Sequence, residues 1–245
     1  MLNAKSTDSV SPRETVDVDF AKLTFAQDQE AIVVVFDIRS SSILVSDLTL
    51  RDKLDHYVSL VGKIKEYLAK LQMQHNPPRF GFYKFTGDGW ILLFFVKDSN
   101  GQAIPRDYAL EVMRDLSVWF EPVFRSWARE HLHTQPPITG LTFGVGKGPL
   151  RRTTIFQEKE YLAYAIIVAC RLQAAVSEID QSSGCKALVM NSVFNELFSS
   201  VKDYVVEDVR RKFRNIGQDR EYDCKKISLL PVGSSVDRAV PSESP

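Results

Sequence analysis

Two aspartates stand where carboxylates could bind divalent metal ions. Asp37 follows the apolar run A-I-V-V-V-F, and Asp88 lies between the glycines of T-G-D-G. Each also has a simpler explanation, because aspartate is common as a helix cap and in tight turns. If the fold brings both to one edge, they repel each other unless cations lie between them, and such oxygen ligands suit Mg²⁺ or Mn²⁺. Two ions of this kind can activate an attacking oxygen and stabilise a leaving oxygen on a phosphate.

A serine-rich segment directly after Asp37 is a candidate phosphate-binding loop. It reads I-R-S-S-S over 38–42. Small polar residues between a strand and a helix can offer main-chain N–H groups, and the start of a helix favours negative charge. A serine-rich helix cap explains the same residues equally well. Both interpretations stay open on the sequence alone.

Strands and helices alternate along the chain, and their order indicates how the two aspartates are positioned. Short apolar runs predict strands over 31–37, 79–86, 90–96, 139–146, 186–190, 203–209 and 220–229. Apolar spacings of three and four predict helices around 52–72, after Pro105, over 160–177 and over 191–199. The order is β-α-β-β-α-β with additions, which predicts an α+β, ferredoxin-like palm with an antiparallel central sheet and helices on one face. Its first strand and central hairpin are neighbours, so Asp37 and Asp88 would reach the same edge.

The composition favours one large domain whose chemistry is local. The chain has 245 residues, with 31 Lys plus Arg balancing 31 Asp plus Glu, so no bulk charge favours nucleic acid or a membrane surface. Its apolar runs are far shorter than the roughly 20 residues of a membrane helix. We predict a flexible lead-in over 1–24, a catalytic domain over 25–232 and a disordered tail over 233–245. The three cysteines are expected to be reduced thiols in a cytoplasmic protein.

Five motifs, in order, resemble the catalytic domain of class III adenylate and guanylate cyclases. V-V-V-F-D-I-R-S-S-S resembles their first metal-binding segment, and Y-K-F-T-G-D-G-W-I-L-L-F resembles their central hairpin. Three later family motifs, a strand, an arginine-bearing helix and a segment near the domain's end, are matched by L-T-F-G-V-G-K-G-P-L, E-Y-L-A-Y-A-I-I-V-A-C-R-L-Q and F-R-N-I-G-Q-D-R-E-Y-D-C. The motifs span about 31–229, and the K-F-T-G-D-G piece is the most specific of them.

The resemblance implies a metal site and a substrate site. Asp37, Asp88 and the main-chain carbonyl of Ile38 would hold two Mn²⁺ or Mg²⁺ ions per active site, and Arg171 would stabilise the transition state. A surface arginine of a helix is the alternative interpretation of Arg171, and the good match of V-A-C-R-L favours the catalytic role. The substrate-binding residues implied by position are Phe36, Ile38, Arg39, Ser40, Ser41, Ser42, Lys84, Glu160 and Arg214.

The resemblance implies a specific role for three of these residues. Lys84 falls where many adenylate cyclases place a lysine that reads the base, although a solvated strand lysine is the simpler explanation. Glu160 falls where an Asp or Thr reads a purine. Arg214 lies near the position at which the family has a lysine that binds the terminal phosphates of the substrate.

The chain departs from the family pattern on the base and ribose side. The usual asparagine of the helix motif is Ile167, its usual glycine is Ala163, and the glycine of the phosphate loop is Ser40. The metal side is intact, and Glu160 is longer than the usual purine reader. This combination resembles the bacterial pyrimidine cyclases of the anti-phage system called Pycsar. Those enzymes make cyclic UMP or cyclic CMP, which activates a partner effector that harms the infected cell.

We therefore predict a homodimeric uridylate cyclase that makes 3′,5′-cyclic UMP and pyrophosphate from UTP. Its product would act on a downstream effector. A cytidylate cyclase and an ordinary adenylate cyclase are the nearest alternatives. The missing asparagine instead favours a catalytically silent domain that binds nucleotide. A diguanylate cyclase shares the palm but needs a G-G-D-E-F-like hairpin, whereas this hairpin reads T-G-D-G-W.

Overall fold

The computed structural model describes residues 28–97, 101–155, 158–199, 201–213, 216 and 220–230. The lead-in predicted over 1–24, the tail predicted over 233–245 and Arg214 lie outside the described residues. The limits of the catalytic domain therefore stay predictions.

The described strands form one sheet. They are β1 (Asp28–Ile38), β2 (Phe80–Phe85), β3 (Gly89–Phe95), β4 (Leu141–Ile155), β5 (Glu158–Leu162), β6 (Lys186–Met190), β7 (Val205–Lys212) and β8 (Glu221–Ser228). The strand order is β2-β3-β1-β4-β6-β8-β7, and β5 pairs with β4 off this path. The part β2-β3-β1-β4 is antiparallel throughout. This is the ferredoxin-like core, and the predicted α+β palm is confirmed.

The helices agree with the predictions except at two places. They are α1 (Ser41–Leu50), α2 (Leu54–Met73), α3 (Tyr108–His131), α4 (Tyr164–Ile179) and α5 (Asn191–Leu197). The first, α1, was not predicted, because it buries only Leu44 and Leu48 and so carries almost no apolar period. The predicted helix over 160–177 begins only at Tyr164, because the preceding residues pair with a long β4 as the short strand β5.

Helices cover both faces of the sheet, so the prediction of helices on one face is wrong. Alternate residues of β1 enter different cores: Val34 belongs to the core under α2 and α3, and Val33 to the core under α4. A strand buried on both faces needs cover on both. Gly144 lets α4 approach, since a Cβ there would lie 2.0 Å from the carbonyl oxygen of Ala169. The pairing of β4 with β6 is parallel, so the sheet is not antiparallel throughout.

Two further sequence predictions can be compared with the described residues. All three cysteines, Cys170, Cys185 and Cys224, are free, as predicted. Among the helices of the described ranges, none has the length and apolar character needed to cross a membrane.

Candidate active site

The sheet brings Asp37 and Asp88 together. Asp37 lies at the end of β1 and pairs with Gly89, the first residue of β3, so that Asp88 at the tip of the hairpin stands beside it. The main-chain N–H of Ile38, at the end of β1, donates to the carbonyl oxygen of Asp88 in the hairpin, at 3.3 Å. The Asp88 side chain acts on the Asp37 carboxyl group and helps to raise its pKa. The sequence-predicted pair is therefore adjacent in space.

Gly89 makes this close approach possible. A Cβ at this position would lie 1.7 Å from the carbonyl oxygen of Phe36, which is main chain and cannot move aside. Any larger residue would push the hairpin away from β1 and separate the two carboxylates. The glycine after Asp88 is thus a requirement of the site's geometry as well as of the turn.

Burial and the second carboxylate keep Asp37 protonated near neutral pH. Burial raises the pKa of Asp37 to about 8, and the hydrogen bond with Asp88 and its charge add to the effect. The N–H of Ile38, 3.1 Å from Oδ1 of Asp37, opposes this by stabilising the carboxylate. The two neighbouring, half-buried carboxyl groups offer hard oxygen donors. A divalent cation would take the place of the Asp37 proton and relieve their mutual repulsion. The residues therefore fit a Mg²⁺ or Mn²⁺ site.

The side chains alone do not complete a metal site. Within the ranges described above, no group of three or more His, Cys, Asp and Glu side chains is placed to hold a metal. A site built on Asp37 and Asp88 needs further oxygen ligands from the main chain and from a bound phosphate. The carbonyl of Ile38, at the end of β1, is the predicted main-chain ligand, and that role stays a prediction.

The serine-rich loop starts α1 directly beside the acids. Ser40 has a left-handed backbone conformation with φ of 59°, which glycine adopts most easily. Serine here replaces the glycine of the family, yet the backbone keeps the conformation that favours glycine. Its hydroxyl donates to the carbonyl of Ile138 at 2.8 Å and makes no helix cap. Ser41 donates its hydroxyl to Oδ2 of Asp88, and Ser42 is exposed. The loop thus orients one acid and leaves the start of α1 open.

Two of the predicted substrate-binding residues point their side chains elsewhere. Phe36 is fully buried, with its ring 5.7 Å from the rings of both Trp90 and Phe143. Arg39 is only 4% exposed and donates from Nη2 to the carbonyl of Asp180. Only the main chain of these two residues is left to contact a substrate.

Lys84 and Glu160 contact each other directly. Nζ of Lys84 lies 3.0 Å from Oε1 of Glu160, joining β2 to β5. The hydroxyl of Tyr83 donates to the other oxygen, Oε2. The hydrogen bond from Tyr83, followed by that from Lys84, lowers the pKa of Glu160, so that its side chain is a carboxylate at neutral pH. The arrangement presents a cationic donor beside an anionic acceptor.

Comparison with solved structures shows which fold this is, although no protein-family model and no curated protein sequence matches the chain. The guanylyl cyclase Cya2 aligns with a TM-score of 0.58 at 13% identity, over 86% of this chain and 96% of that one. The adenylyl cyclase CyaB from P. aeruginosa aligns with a TM-score of 0.56 at 15% identity, over 82% of this chain and 94% of that one. A bacterial light-regulated adenylyl cyclase aligns with a TM-score of 0.57 at 16% identity, over 86% of this chain and 55% of that one.

The chain has the class III cyclase fold. At these identities the likeness establishes the fold alone, and it agrees with the order of motifs read from the sequence. The fold is that of the whole catalytic domain of the two cyclases first compared, since the chain covers nearly all of each.

In this cyclase fold, Arg171 lies on helix α4. It lies on the exposed side of α4, and no described hydrogen bond joins it to Asp37 or Asp88. Ile167, one turn earlier, is 51% exposed, so the apolar replacement of the family asparagine faces outward. The structure brings together the two acids with Ser41, and separately Lys84 with Glu160. No described hydrogen bond or ion pair joins Arg171 to either group.

Sequence analysis missed a tyrosine next to the acid pair. Tyr57 of α2 is only 6% exposed, and its hydroxyl has no hydrogen-bond partner among the described residues. Burial, with smaller contributions from the charges of Asp88 and Asp37, raises its pKa, so the hydroxyl stays neutral. The apolar period of α2 marks Tyr57 as a core residue. No sequence signal separates a core tyrosine from one whose polar end lies near a site.

Proposed function

We propose that this chain is a nucleotide cyclase that turns a nucleoside triphosphate into a 3′,5′-cyclic monophosphate and pyrophosphate. The observation that carries the proposal is the adjacent, half-buried pair of Asp37 and Asp88 at one edge of a cyclase fold. Such a pair is costly to bury, and a structural role gives no reason to hold two acids in contact. Binding of divalent cations gives that reason.

Each residue near the acids has a part in this reaction. Asp37, Asp88 and the Ile38 carbonyl would hold two Mn²⁺ or Mg²⁺ ions. Bound metal would supply activation of the ribose 3′ oxygen and stabilisation of the charge on pyrophosphate. Ser41 fixes the orientation of Asp88 through its hydroxyl. The open start of α1 favours the negative charge of the triphosphate.

For the base, we propose that Lys84 and Glu160 read uracil. Their ion pair places a donor and an acceptor side by side, which matches the neighbouring O4 and N3–H of uracil. Cytosine and adenine present an amino group where uracil has O4, and that donor opposes Lys84. An unmatched buried polar group costs about 1–3 kcal/mol. UTP is therefore the proposed substrate, with CTP second.

Guanine needs a separate reason, because its O6 and N1–H repeat the uracil pattern. Glu160 is longer than the usual purine reader at this position, and its carboxylate lies 3.0 Å from Nζ of Lys84. A longer acid leaves less room in front of the pair, which suits a single-ring base. Size, rather than hydrogen bonding, would exclude GTP.

A homodimer would complete the site. In class III cyclases the metals bind one protomer, while groups that read the base and stabilise the transition state come from the other. Here Arg171 is exposed, and no described hydrogen bond joins it to the acids. Leu162, Tyr164 and Ile167, around the start of α4, are 55%, 59% and 51% exposed, an apolar surface suited to a second copy. Two-fold symmetry would then build two identical composite sites.

The biological role proposed here is that of a second-messenger generator. The resemblance to Pycsar pyrimidine cyclases implies that cyclic UMP made by this protein would act on an effector during phage infection. The feature that supports a pyrimidine product over a purine product is the part of the site expected to contact the base and ribose. There, Glu160 and Ile167 replace the residues that the family uses for purine nucleotides.

One observation favours a second candidate, a silent cyclase-like domain. Ile167 presents a half-exposed apolar side chain where the family has a polar group that orients the ribose. Without that group, a protein could bind nucleotide and not turn it over.

Initial rates with each of the four triphosphates, at equal concentration with Mn²⁺, test both the activity and the base. We expect UTP to give the highest rate, CTP the next, and ATP and GTP low rates. If ATP leads, an ordinary adenylate cyclase replaces the uridylate cyclase. If CTP leads, the cyclase stands but Lys84 does not face the base as proposed. Nucleotide binding without any product would identify the silent domain.

A further inference from the structure

A β-bulge in the central hairpin sets the direction of two neighbouring side chains. The pairing of β2 with β3 matches Phe82 with Leu92 and then Lys84 with Ile91, so one extra residue, Tyr83, is accommodated in β2. Leu92 belongs to the core under α2 and α3, whereas Ile91 belongs to the core under α4. Regular alternation would place Lys84 on the same face as Phe82. The bulge moves Lys84 to the face that Tyr83 already occupies.

On that face Tyr83 and Lys84 bind the two oxygens of one carboxylate. Tyr83 donates to Oε2 of Glu160, and Lys84 donates to Oε1 at 3.0 Å. The ring of Tyr83 packs edge-on against the ring of Tyr161, with centroids 5.3 Å apart, next to Glu160 on β5. The carboxylate is therefore held from both sides, by consecutive residues of β2.

The hydroxyl of Tyr83 has its proton directed at Glu160. The main-chain N–H of Tyr161 donates to this hydroxyl at 3.0 Å and occupies one of its lone pairs. The carbonyl of Tyr161, at 3.3 Å, is a longer and neutral alternative acceptor. A bond to a carboxylate is the stronger of the two, so the proton goes to Glu160. Burial and this bond raise the pKa of Tyr83 to about 12, which keeps the donor protonated.

Lys84 alone could not hold the carboxylate in place. Its side chain is 57% exposed, and an exposed ion pair of two long side chains contributes little and fixes geometry poorly. The rigid ring of Tyr83, half-buried and held by β5, supplies the fixed contact. Glu160 then keeps one orientation while Lys84 retains donors for another partner.

We propose that Tyr83 is a positioning residue for base specificity. Acting through Glu160, it fixes a side-by-side donor and acceptor that discriminates among nucleobases. This inference rests on the proposed function, since it takes Lys84 and Glu160 as the groups that meet the base. Tyr83 would contact no substrate itself. The role of the β-bulge would be to place Tyr83 and Lys84 on the same face, where both bind Glu160.

Tyr83→Phe tests the proposal, because it removes the hydroxyl and keeps the ring. The matched control is Tyr161→Phe, which removes the hydroxyl of the neighbouring ring, whereas Tyr161 takes part in the cluster through its main chain. For both variants and the unaltered protein, kcat/KM is measured for all four triphosphates with Mn²⁺. Binding of the four 3′-deoxynucleoside triphosphates, which cannot cyclise, is measured in parallel, together with the midpoint of thermal unfolding.

We expect Tyr83→Phe to lower the ratio of kcat/KM between the best and second-best triphosphate by about tenfold, as loss of one hydrogen bond to a charged group predicts. In Tyr83→Phe the lower ratio should come mainly from a change in KM rather than in kcat, and the midpoint of thermal unfolding should be nearly unchanged. Tyr161→Phe should keep the ratio.

An unchanged ratio in Tyr83→Phe, or the same loss in both variants, would overturn the proposal while leaving the cyclase intact. If the unaltered protein turns over no triphosphate, the proposed function fails, and the binding ratios decide the role of Tyr83. Relative affinities for the four deoxy analogues that are equal in Tyr83→Phe and the unaltered protein would then overturn it.

Discussion

At the scale of single residues, the carboxyl groups of Asp37 and Asp88 are the most informative pair. They lie side by side, and burial holds a proton on Asp37 at neutral pH. Such an arrangement costs stability in the absence of a cation, because Asp37 cannot ionise freely. Proteins retain costs of this kind mainly where a site needs them.

Replacing either acid by alanine should abolish turnover without unfolding the protein. In Asp37→Ala and Asp88→Ala the metal ligands are incomplete, whereas the repulsion within the pair is relieved, so the stability of the cation-free protein should hold or rise slightly. Activity with Mn²⁺ and thermal unfolding without metal are the two measurements.

The control for these variants is Asp208→Ala. Asp208 lies on β7 and pairs with Lys225 at the surface, a contact worth at most about 1 kcal/mol. It should keep full activity. Undiminished turnover in either Asp37→Ala or Asp88→Ala would remove the two-metal interpretation.

Binding of a divalent cation should release about one proton at pH 7. The pKa of Asp37 is raised from 3.8 to about 8, so the folded protein holds a proton there that the unfolded chain has lost between these pH values. Stability without metal should therefore fall, for this group, as the pH rises from about 4 to 8, and Mn²⁺ affinity should rise over the same range. Calorimetry of Mn²⁺ binding in buffers of different ionisation enthalpy counts the protons. A heat of Mn²⁺ binding that does not vary with the buffer would contradict the release of a proton from Asp37. In Asp37→Asn, the binding heat should no longer depend on the buffer.

At the scale of elements, the sequence was sufficient for the palm and for the meeting of the acids. Valine-rich β1 and the T-G-D-G turn carry strong local signals, and the order of elements leaves one way to join them. What could not be predicted depends on pairing between distant segments. Strand β5 exists because β4 is long enough to pair with it, and the bulge at Tyr83 is visible only in the register with β3.

Side-chain direction was the other limit of prediction. Position along the chain placed Arg39 and Phe36 beside the acids, but their side chains are buried elsewhere. Local sequence does not determine where a guanidinium at a strand end finds its partner. For Arg39 that partner is the carbonyl of Asp180, at the end of α4 and far away in the chain.

Gly89→Ala should separate the central hairpin from β1. The new Cβ would lie 1.7 Å from the carbonyl oxygen of Phe36, so the main chain must shift. We expect a loss of more than about 2 kcal/mol in the free energy of unfolding, and loss of activity in the fraction that stays folded. Denaturant unfolding and initial rates measure both effects.

Gly62→Ala is the matched control, because a Cβ at that position of α2 meets no atom within 4 Å. Alanine in a helix interior should raise stability by about 0.5–1 kcal/mol and leave the rates unchanged. A Gly89→Ala protein as stable and as active as the Gly62→Ala protein would mean that the hairpin does not need its close approach to β1.

At the scale of the whole molecule, the exposed position of Arg171 makes the proposed dimer testable. If each site takes its metals from one protomer and Arg171 from the other, mixing inactive Asp37→Ala with inactive Arg171→Ala should restore part of the activity. One of the two sites in each heterodimer is then intact. Sedimentation at the assay concentration should show a dimer, and an active monomer would rule out the composite site.

The central claim is that this protein cyclises a nucleoside triphosphate with the help of Asp37 and Asp88. The most direct test is to identify the products by mass spectrometry after incubating the protein with a mixture of UTP, CTP, ATP and GTP and Mn²⁺. The claim predicts a 3′,5′-cyclic nucleotide and pyrophosphate in equal amounts, with cyclic UMP the main product, and neither product in the Asp37→Ala protein. Triphosphates that remain intact with the unaltered protein, or the same products from Asp37→Ala, would contradict it.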